Sequence, residues 1–539
     1  MVVAGCSSQG QNSASPRTIE AGQHTPAQVR QMEKYQTPVT VTLGLQNDST
    51  ITFPKGQNFD KNDIYSLYAQ QMGIHLKNEW IVSSNTYPDK VNLSVASGGI
   101  PDLFFVPTEE QVKQLVDAGL VQDLTPYFQN DLSAQASTYF TQKEQTASAT
   151  FNGKIMAIPF TNTPYNSLNF IYVRKDWLKK LGLPEPRTMN DVYKISAAFA
   201  KDNPGGAKTT YGLAVTKNLN DSALGLQGVF NGYHAYPEIW VKNAQGKLVY
   251  GSVQTQMEPA LAGLQKMYKA GEIDPEFAVK DSSAEAQLIA NNQLGMAYGM
   301  FWLPSFPLMQ AILKNNKITQ DWAAFPIPSV DNQPAKSEVP VGVNGYYVVS
   351  KKCKNPDAVF ELLNKWAQVQ PGNVKSLLEY TNGKTTAEQN YWKLNPFNFV
   401  PPTLTDPRPV IEAITNHNSS ILKNPNDQQI FQLCEQYLHG NGSDWNTWAK
   451  EGQGGTHLLQ YQVQQNGNYQ MDAFYGPPTP TMVKQWANLE SLLSQGFMQI
   501  VTGKQPVSYY DTLVRQWNEL GGQQISQEVN SWHAHAAIK

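Results

Sequence analysis

Val39-Thr40-Val41-Thr42-Leu43 alternates apolar and polar residues with the two-residue period of a strand. A helical stretch follows near 62–72, and then the apolar run Trp80-Ile81-Val82, which ends in Ser83-Ser84-Asn85. Helical spacing returns from about Tyr87 to Ala96 and is broken by Ser97-Gly98-Gly99. Pro101-Asp102 leads into Leu103-Phe104-Phe105-Val106, a run apolar on both faces. Thr108 and Gln111 form a capping box for a helix whose stripe is Val112, Leu115 and Val116. Three strand–helix repeats predict a largely parallel sheet covered on both faces. In such sheets ligands bind beyond the carboxyl ends of the strands. Those ends are Gln46-Asn47, Ser83–Asn85 and Val106–Thr108, which makes Asn47 and Asn85 candidate ligand contacts.

The pattern continues downstream. Asn152-Gly153-Lys154 is a turn before Ile155–Pro159, and Ser167–Val173 reads as a strand followed by a helix at Asp176-Trp177-Leu178. Thr188 caps a helix carrying Val192, Tyr193, Ile195 and Phe199. Gly342–Ser350 is strand-like, and Asn355-Pro356 opens a helix with the stripe Val359, Phe360, Leu363 and Trp366. Residues 7–36 are rich in Ser, Gln, Thr and Ala without periodicity and read as a flexible tether. No internal repeat is visible, and no run of 18 apolar residues exists to cross a membrane.

At 539 residues the chain is too long for one core. Its 40% hydrophobic content allows packed interiors, while the balance of 41 basic and 44 acidic residues, well mixed, shows no basic stripe for nucleic acid. Charged residues are only 16% and aromatics 11%, a surface that suits a neutral, hydroxyl-rich ligand. The cysteines are Cys6, Cys353 and Cys434, with no CxxC. Cys353 and Cys434 read as two separate buried thiols, with a pairing left open. Val3-Ala4-Gly5-Cys6 followed by Ser7-Ser8-Gln9-Gly10 resembles a lipobox, although the basic and apolar regions that precede one are missing. In that reading Cys6 carries a lipid that tethers the chain outside the cytoplasm.

Enzymatic signatures are absent or broken. Asn382-Gly383-Lys384-Thr385 lacks the earlier Gly of a P-loop, and Gly452-Gln453-Gly454-Gly455 lacks the last Gly of a dinucleotide fingerprint. No HExxH or GxSxG is present, and His533-Ala534-His535 reads as a chain end.

Ala96-Ser97-Gly98-Gly99-Ile100-Pro101-Asp102 and Gly153–Pro159 resemble the extracellular solute-binding proteins of sugar ABC transporters. Val173-Arg174-Lys175-Asp176-Trp177-Leu178-Lys179-Lys180-Leu181-Gly182-Leu183-Pro184 is more particular. So are Ile500-Val501-Thr502-Gly503-Lys504, Trp517–Gly522 and Glu528-Val529-Asn530. In this order they resemble the large LplA-type lipoproteins of Gram-positive bacteria, over roughly residues 38–532. The resemblance implies an α/β, two-lobed periplasmic-binding-protein-like fold of type II, each lobe a mostly parallel sheet flanked by helices. It places lobe 1 at 38–160 plus about 330–400, and lobe 2 at about 165–325 plus about 400–539. Residues 1–37 are the lipobox remnant and tether. Crossings are expected near 160–169 and 326–329, with a third after the helix at 355–368. The implied function is capture of an oligosaccharide in the cleft and its delivery to an ABC permease by a lipid-anchored monomer, with no cofactor and no chemistry. Relatives carry a calcium loop of the form D-x-D-x-N-G-x-x-D after the helix at 188–201. Here Asp202-Asn203-Pro204-Gly205-Gly206-Ala207-Lys208 departs from it, so no metal is expected.

Sugars offer C–H patches that stack on aromatic rings and hydroxyls that bond Asn, Asp, Gln and Arg. Trp177, Trp366, Trp486 and Trp517 lie on apolar stripes and are expected in cores. Trp302 follows Leu294–Phe301 at a Gly-rich strand end and matches the family's "G-x-M-A … G-x-W" segment, whose Trp stacks on sugar. Trp445 and Trp448 fall in the polar stretch Gly440–Lys450, read as a loop. Asn162, Asn344, Tyr346 and Tyr475 sit at strand ends or crossings. Three other readings remain open: a secreted polysaccharide-active enzyme with a carboxylate pair across the cleft, a sugar sensor that partners a membrane kinase, and a peptide-binding relative.

Overall fold

Two sheets, built from interleaved stretches of the chain, organise the molecule. Residues 34–47, 51–83, 86–368, 391–397, 399, 404–423 and 425–536 are described by this computed structural model. In chain order the main strands are β1 (Val39–Asn47), β2 (Ile74–Ser83), β3 (Leu103–Val106), β4 (Ile158–Thr161), β5 (Asn169–Arg174) and β6 (Tyr211–Leu213). They continue as β7 (Leu294–Met300), β8 (Trp322–Phe325), β9 (Ser337–Val339), β10 (Val343–Val349) and β11 (Tyr469–Met471). The first sheet has the order β2-β1-β3-β10-β4 and the second β8-β5-β7-β6.

β1 runs parallel to β2 and β3, as the strand–helix repeats predict. The remaining pairings correct the expectation of mostly parallel sheets. β10 is antiparallel to β3 and β4, and β5 is antiparallel to β7 and β8, leaving β7–β6 as the parallel pair of the second sheet. The reason is connectivity. β5 and β10 enter their sheets directly from the other lobe, so they start at the edge where the local strands end.

Four helices frame the first sheet and the start of the second: α1 (Tyr87–Ser97), α2 (Glu109–Asp117), α3 (Met189–Asp202) and α4 (Pro356–Gln368). Thr108 Oγ1 accepts from Gln111 N at 3.3 Å to cap α2, and Thr188 forms a full capping box with Asp191 on α3. Alternate residues of the first sheet serve two cores. Val41, Leu43, Leu103 and Tyr347 meet Val359, Phe360 and Leu363 of α4. Phe104, Val106 and Val348 meet Val91 of α1 and Val112 and Leu115 of α2. In the second sheet, Ile171, Val173 and Met296 cluster with Trp177, Phe199 and the helices Met482–Val501 and Gln523–Ala536. Trp177, Trp366 and Trp517 are at most 2% exposed. Cys353 and Cys434 are buried free thiols in separate clusters.

The chain passes between sheets at 162–168, between β4 and β5, and at 340–342, between β9 and β10. The second passage lies later than the 326–329 expected from sequence. The segment 326–329 follows β8 directly but stays with the second lobe, where Ser329 bridges Thr188 and its carbonyl takes Met189 N at 2.9 Å. β9 then pairs with β11, and only after it does the chain enter the first sheet. A further passage falls between Phe399, in the first lobe's core, and the helix Arg408–Thr415, whose Val410 and Ile414 pack with Cys434.

Candidate functional site

The junction between the lobes is pinned by one side chain. Gln145, fully buried on the helix Lys143–Ser148, donates from Nε2 to the carbonyls of Asn162 (2.8 Å), Val341 (3.2 Å) and Gly342 (2.9 Å). It therefore holds both passages at once. Gly342, at φ 78°, brings the backbone close, and a Cβ there would lie 2.9 Å from the amide nitrogen. Asn162 is part of this pivot, with its N donating to Gly342 O at 2.9 Å and its Oδ1 accepting from Asn166 at 3.1 Å. A buried Gln gives no periodic signal, so sequence reasoning did not find it.

At the carboxyl ends of β1 and β3 a groove of about 360 Å³ opens, lined by Leu45, Gln46, Phe105, Phe160, Tyr347 and Lys393 among others. Its floor is aromatic: Phe105 meets Phe160 with ring centroids 6.0 Å apart and Tyr347 at 5.4 Å, both edge to face. Phe105 is held from three directions. Tyr87 Oη donates to its carbonyl at 2.8 Å and accepts from its N at 3.2 Å. Gly345, at φ 125° in the irregular stretch of β10, lies where any Cβ would overlap the Phe105 ring. Gln46 and Asn47 are exposed at the end of β1, opposite Val82 and Ser83. A rigid aromatic floor beside exposed amides can stack an apolar ring face and bond its polar rim.

Carboxyls gather where the lobes meet. Glu109, at the start of α2, faces Glu110, Asp472 and the hydroxyl of Tyr346, and burial first, then those two charges, push it well above the usual carboxylate range. Asp472 follows β11 and accepts from Trp240 N and Phe474 N, both at 3.0 Å. Burial raises it to about 7. Glu338 of β9 is 2% exposed, accepts from Gln227 Nε2 and from Asn231 Nδ2 (3.1 Å), and burial holds it well above its ordinary value.

The structure distributes the candidates predicted from sequence as follows. Trp302 sits in the turn after β7, half-buried, with its carbonyl accepting from Ser305 N at 2.8 Å. Asn344 is exposed at the start of β10. Tyr346 is turned into the core beneath α2, its hydroxyl donating to Ser148 Oγ at 3.0 Å, so it supports the junction rather than lining an open groove. Trp445 and Trp448 do not lie in a loop. They belong to the helix Trp445–Glu451, one turn apart, Trp445 in the core at 4% exposed and Trp448 stacked on Tyr437 at 5.8 Å. The residues before them form a single 3-10 turn, Gly442–Asp444, capped by Asn441 Oδ1, that runs directly into this helix. Tyr475 is half-buried, edge to face with Trp532 at 4.9 Å. Asn85 and Cys6 lie outside the described residues. Among the described residues no group of three or more His, Cys, Asp or Glu could hold a metal ion. The 202–208 loop is tied by Asn203 Nδ2 to Ala207 O (2.6 Å) and by Lys180 Nζ to Pro204 O (2.8 Å).

Two α/β lobes linked by several passages, with a groove at the strand ends near the junction, define a hinged solute receptor. Solved structures share this fold. An "HMO binding ABC-transporter associated Solute Binding Protein" of Bifidobacterium longum infantis superposes with a TM-score of 0.63 at 16% identity, over 92% of this chain and 98% of that one. An EF-hand mutant of the ABC-transporter substrate binding protein FusA of Streptococcus pneumoniae, in complex with fructo-nystose, gives 0.60 at 14% over 93% and 100%. The family model described as bacterial extracellular solute-binding protein matches residues 60–369, and the chain belongs to that family. Among curated relatives, Lipoprotein LipO of Bacillus subtilis (strain 168) is 27% identical over 244 residues, 44% of this chain and 46% of its own length. The polygalacturonan/rhamnogalacturonan-binding protein YtcQ of the same organism is 24% identical over 215 residues, 39% of this chain and 41% of its own. The chain thus spans under half the length of the curated relatives it matches.

Proposed function

We propose that the protein captures an oligosaccharide between its lobes and presents it to a membrane permease for import. The observation that carries this reading is the aromatic floor of Phe105, Phe160 and Tyr347 at the carboxyl ends of the first sheet, with exposed Gln46 at its rim. The rings stack the C–H faces of sugar units, and amides at the strand ends bond the hydroxyls. Trp302, Asn47, Asn85, Asn344 and Tyr475 are the further contacts proposed. Closure about the Gln145 pivot brings the two sets together. Similar proteins named for polygalacturonan, rhamnogalacturonan and fructooligosaccharides support a saccharide as the solute. Similarity to proteins named lipoproteins supports Cys6 as a lipid anchor that keeps a monomeric receptor on the outer face of the cell membrane. The reading is of binding without chemistry.

A thermal-shift screen across plant and microbial oligosaccharides tests it. A ligand at about 100 times its dissociation constant stabilises by about 2.7 kcal/mol, a readily visible shift. A screen in which no saccharide raises the melting temperature, while a peptide library does, overturns the reading.

A further inference from the structure

A second cavity, of about 400 Å³, opens where α2 faces the segment 477–480. It shares no lining residue with the strand-end groove, which draws on both cores, with Leu43, Leu103 and Tyr347 from beneath α4 and Tyr87 and Phe104 from beneath α1 and α2. The second cavity uses Val116 and Phe151, which belong to the core beneath α1 and α2. Both lobes line it. α2 and the turn at Phe151 form one wall. The segment 477–480, three of whose residues are proline, and the helix Gln523–Ala536 form the other.

Its lining has two chemistries side by side. Trp532, Phe151, Val116 and the prolines supply an apolar surface. Trp532 is propped in place by Phe474 and Tyr475, each edge to face at 4.9 Å, so little side-chain freedom remains to be lost when a ring stacks on it. Around it stand Lys113, Asp117 and Glu528. Lys113 pairs with Asp117 at 2.7 Å, and Glu528 is oriented by Thr481 Oγ1 at 2.7 Å and Thr481 N at 3.2 Å. A fixed indole with carboxylates and an ammonium at its edge fits a molecule with one apolar face and a rim of hydroxyls. Two carboxylates against one ammonium, already paired, disfavour an acidic ligand by charge repulsion. A purely apolar ligand would leave the charged rim desolvated without partners.

We infer that this cavity is an accessory carbohydrate site that takes an uncharged hexopyranose unit, stacked on Trp532 and hydrogen-bonded by Asp117 and Glu528. The inference goes beyond capture at the strand ends and does not depend on it.

Fluorine NMR of the full chain labelled with 5-fluorotryptophan tests it, with Trp532→Phe assigning the resonance. The probes are methyl β-D-glucopyranoside and methyl β-D-galactopyranoside, with methyl β-D-glucuronoside as the charged control. The expected result is a saturable shift of the Trp532 signal at millimolar neutral glycoside, at least about fivefold weaker for the glucuronoside, a difference of about 1 kcal/mol. The shift is lost in the Asp117→Asn/Glu528→Gln double variant, whose other tryptophan signals report an intact fold. It persists in Phe105→Ala, which alters the strand-end groove. No saturable shift with either neutral glycoside, or a shift that survives the double variant, overturns the inference. So does a shift abolished by Phe105→Ala, because the sugar then reports the other groove.

Discussion

Gln145 Nε2 lies 2.9 Å from the carbonyl of Gly342, and through this bond a helix of the first lobe grips the strand that returns from the second. The same amide holds Asn162 O on the outgoing passage. Replacing Gln145 by Ala removes the one donor these carbonyls share in a buried setting. The expected loss is about 1–3 kcal/mol of stability, read as a lower urea midpoint. An unchanged midpoint means that water serves the three carbonyls as well as the amide does.

Gly345→Ala tests the support beneath the groove. Its φ of 125° disfavours any side chain, and the added methyl would overlap the Phe105 ring. Strain and displacement together are expected to cost about 1–3 kcal/mol, with altered near-ultraviolet dichroism from the aromatic floor. A variant as stable as the parent shows that β10 can shift to make room.

For binding, Phe105→Ala and Trp302→Ala are each expected to weaken the saccharide found in the thermal screen by about 1–3 kcal/mol, if each ring stacks on it. Titration calorimetry measures this. Equal affinity in Trp302→Ala removes Trp302 from the site and leaves it as packing for the end of β7.

The junction carboxyls set a pH dependence. Burial raises Asp472 from 3.8 to about 7, so between those values the folded state keeps a proton that the unfolded chain has lost. Stability is therefore greatest at the acid end of this window and falls as pH rises towards 7. Asp472→Asn keeps an oxygen for Trp240 N and Phe474 N but cannot ionise. Its melting temperature is expected to decline less over the same interval in scanning calorimetry. A decline equal to that of the parent assigns the effect to Glu109 and Glu338, which shift in the same direction.

Cys353 and Cys434 are free, buried, and pushed up to about 12 by burial. A thiol reagent is expected to leave both untouched in the native protein and to reach both in denaturant without reductant. Recovery of neither thiol in denaturant would point to their having paired.

Local signals made much of the first lobe legible. The alternating run from Val39 and the cap Thr108 are read within a few residues of where they act, as is Thr188 in the second lobe, although the Gln111 side chain turns to Asn92 instead of closing a capping box with Thr108. The apolar stripes through Trp177, Trp366 and Trp517 likewise predicted cores, since burial of one helical face leaves a periodic trace. What escaped was long-range or aperiodic. β9 pairs with β11 from far along the chain, and nothing near Ser337 announces Tyr469. The second passage was placed too early because β9, paired only with β11, keeps the chain in the second lobe until 339. Trp445 and Trp448 were hidden because the short 3-10 turn before their helix has the composition of a loop. The Gln145 pivot and the carboxyls Glu338 and Asp472 are polar residues in buried places, which no hydropathy pattern reveals.

The placement of β10 between β3 and β4 also sets an order of events in the birth of the molecule. Tyr346 reaches Ser148 across 198 positions, and the sheet that begins at Val39 is completed by a strand made only after every strand of the second sheet has been synthesised. A chain that emerges from its amino terminus must hold β1 to β4 unfinished, with the edge of β3 unpaired, until residue 349 is free. The early part of the polypeptide is thus exposed to mispairing longest, and a truncation anywhere before β10 leaves an open edge rather than a smaller domain.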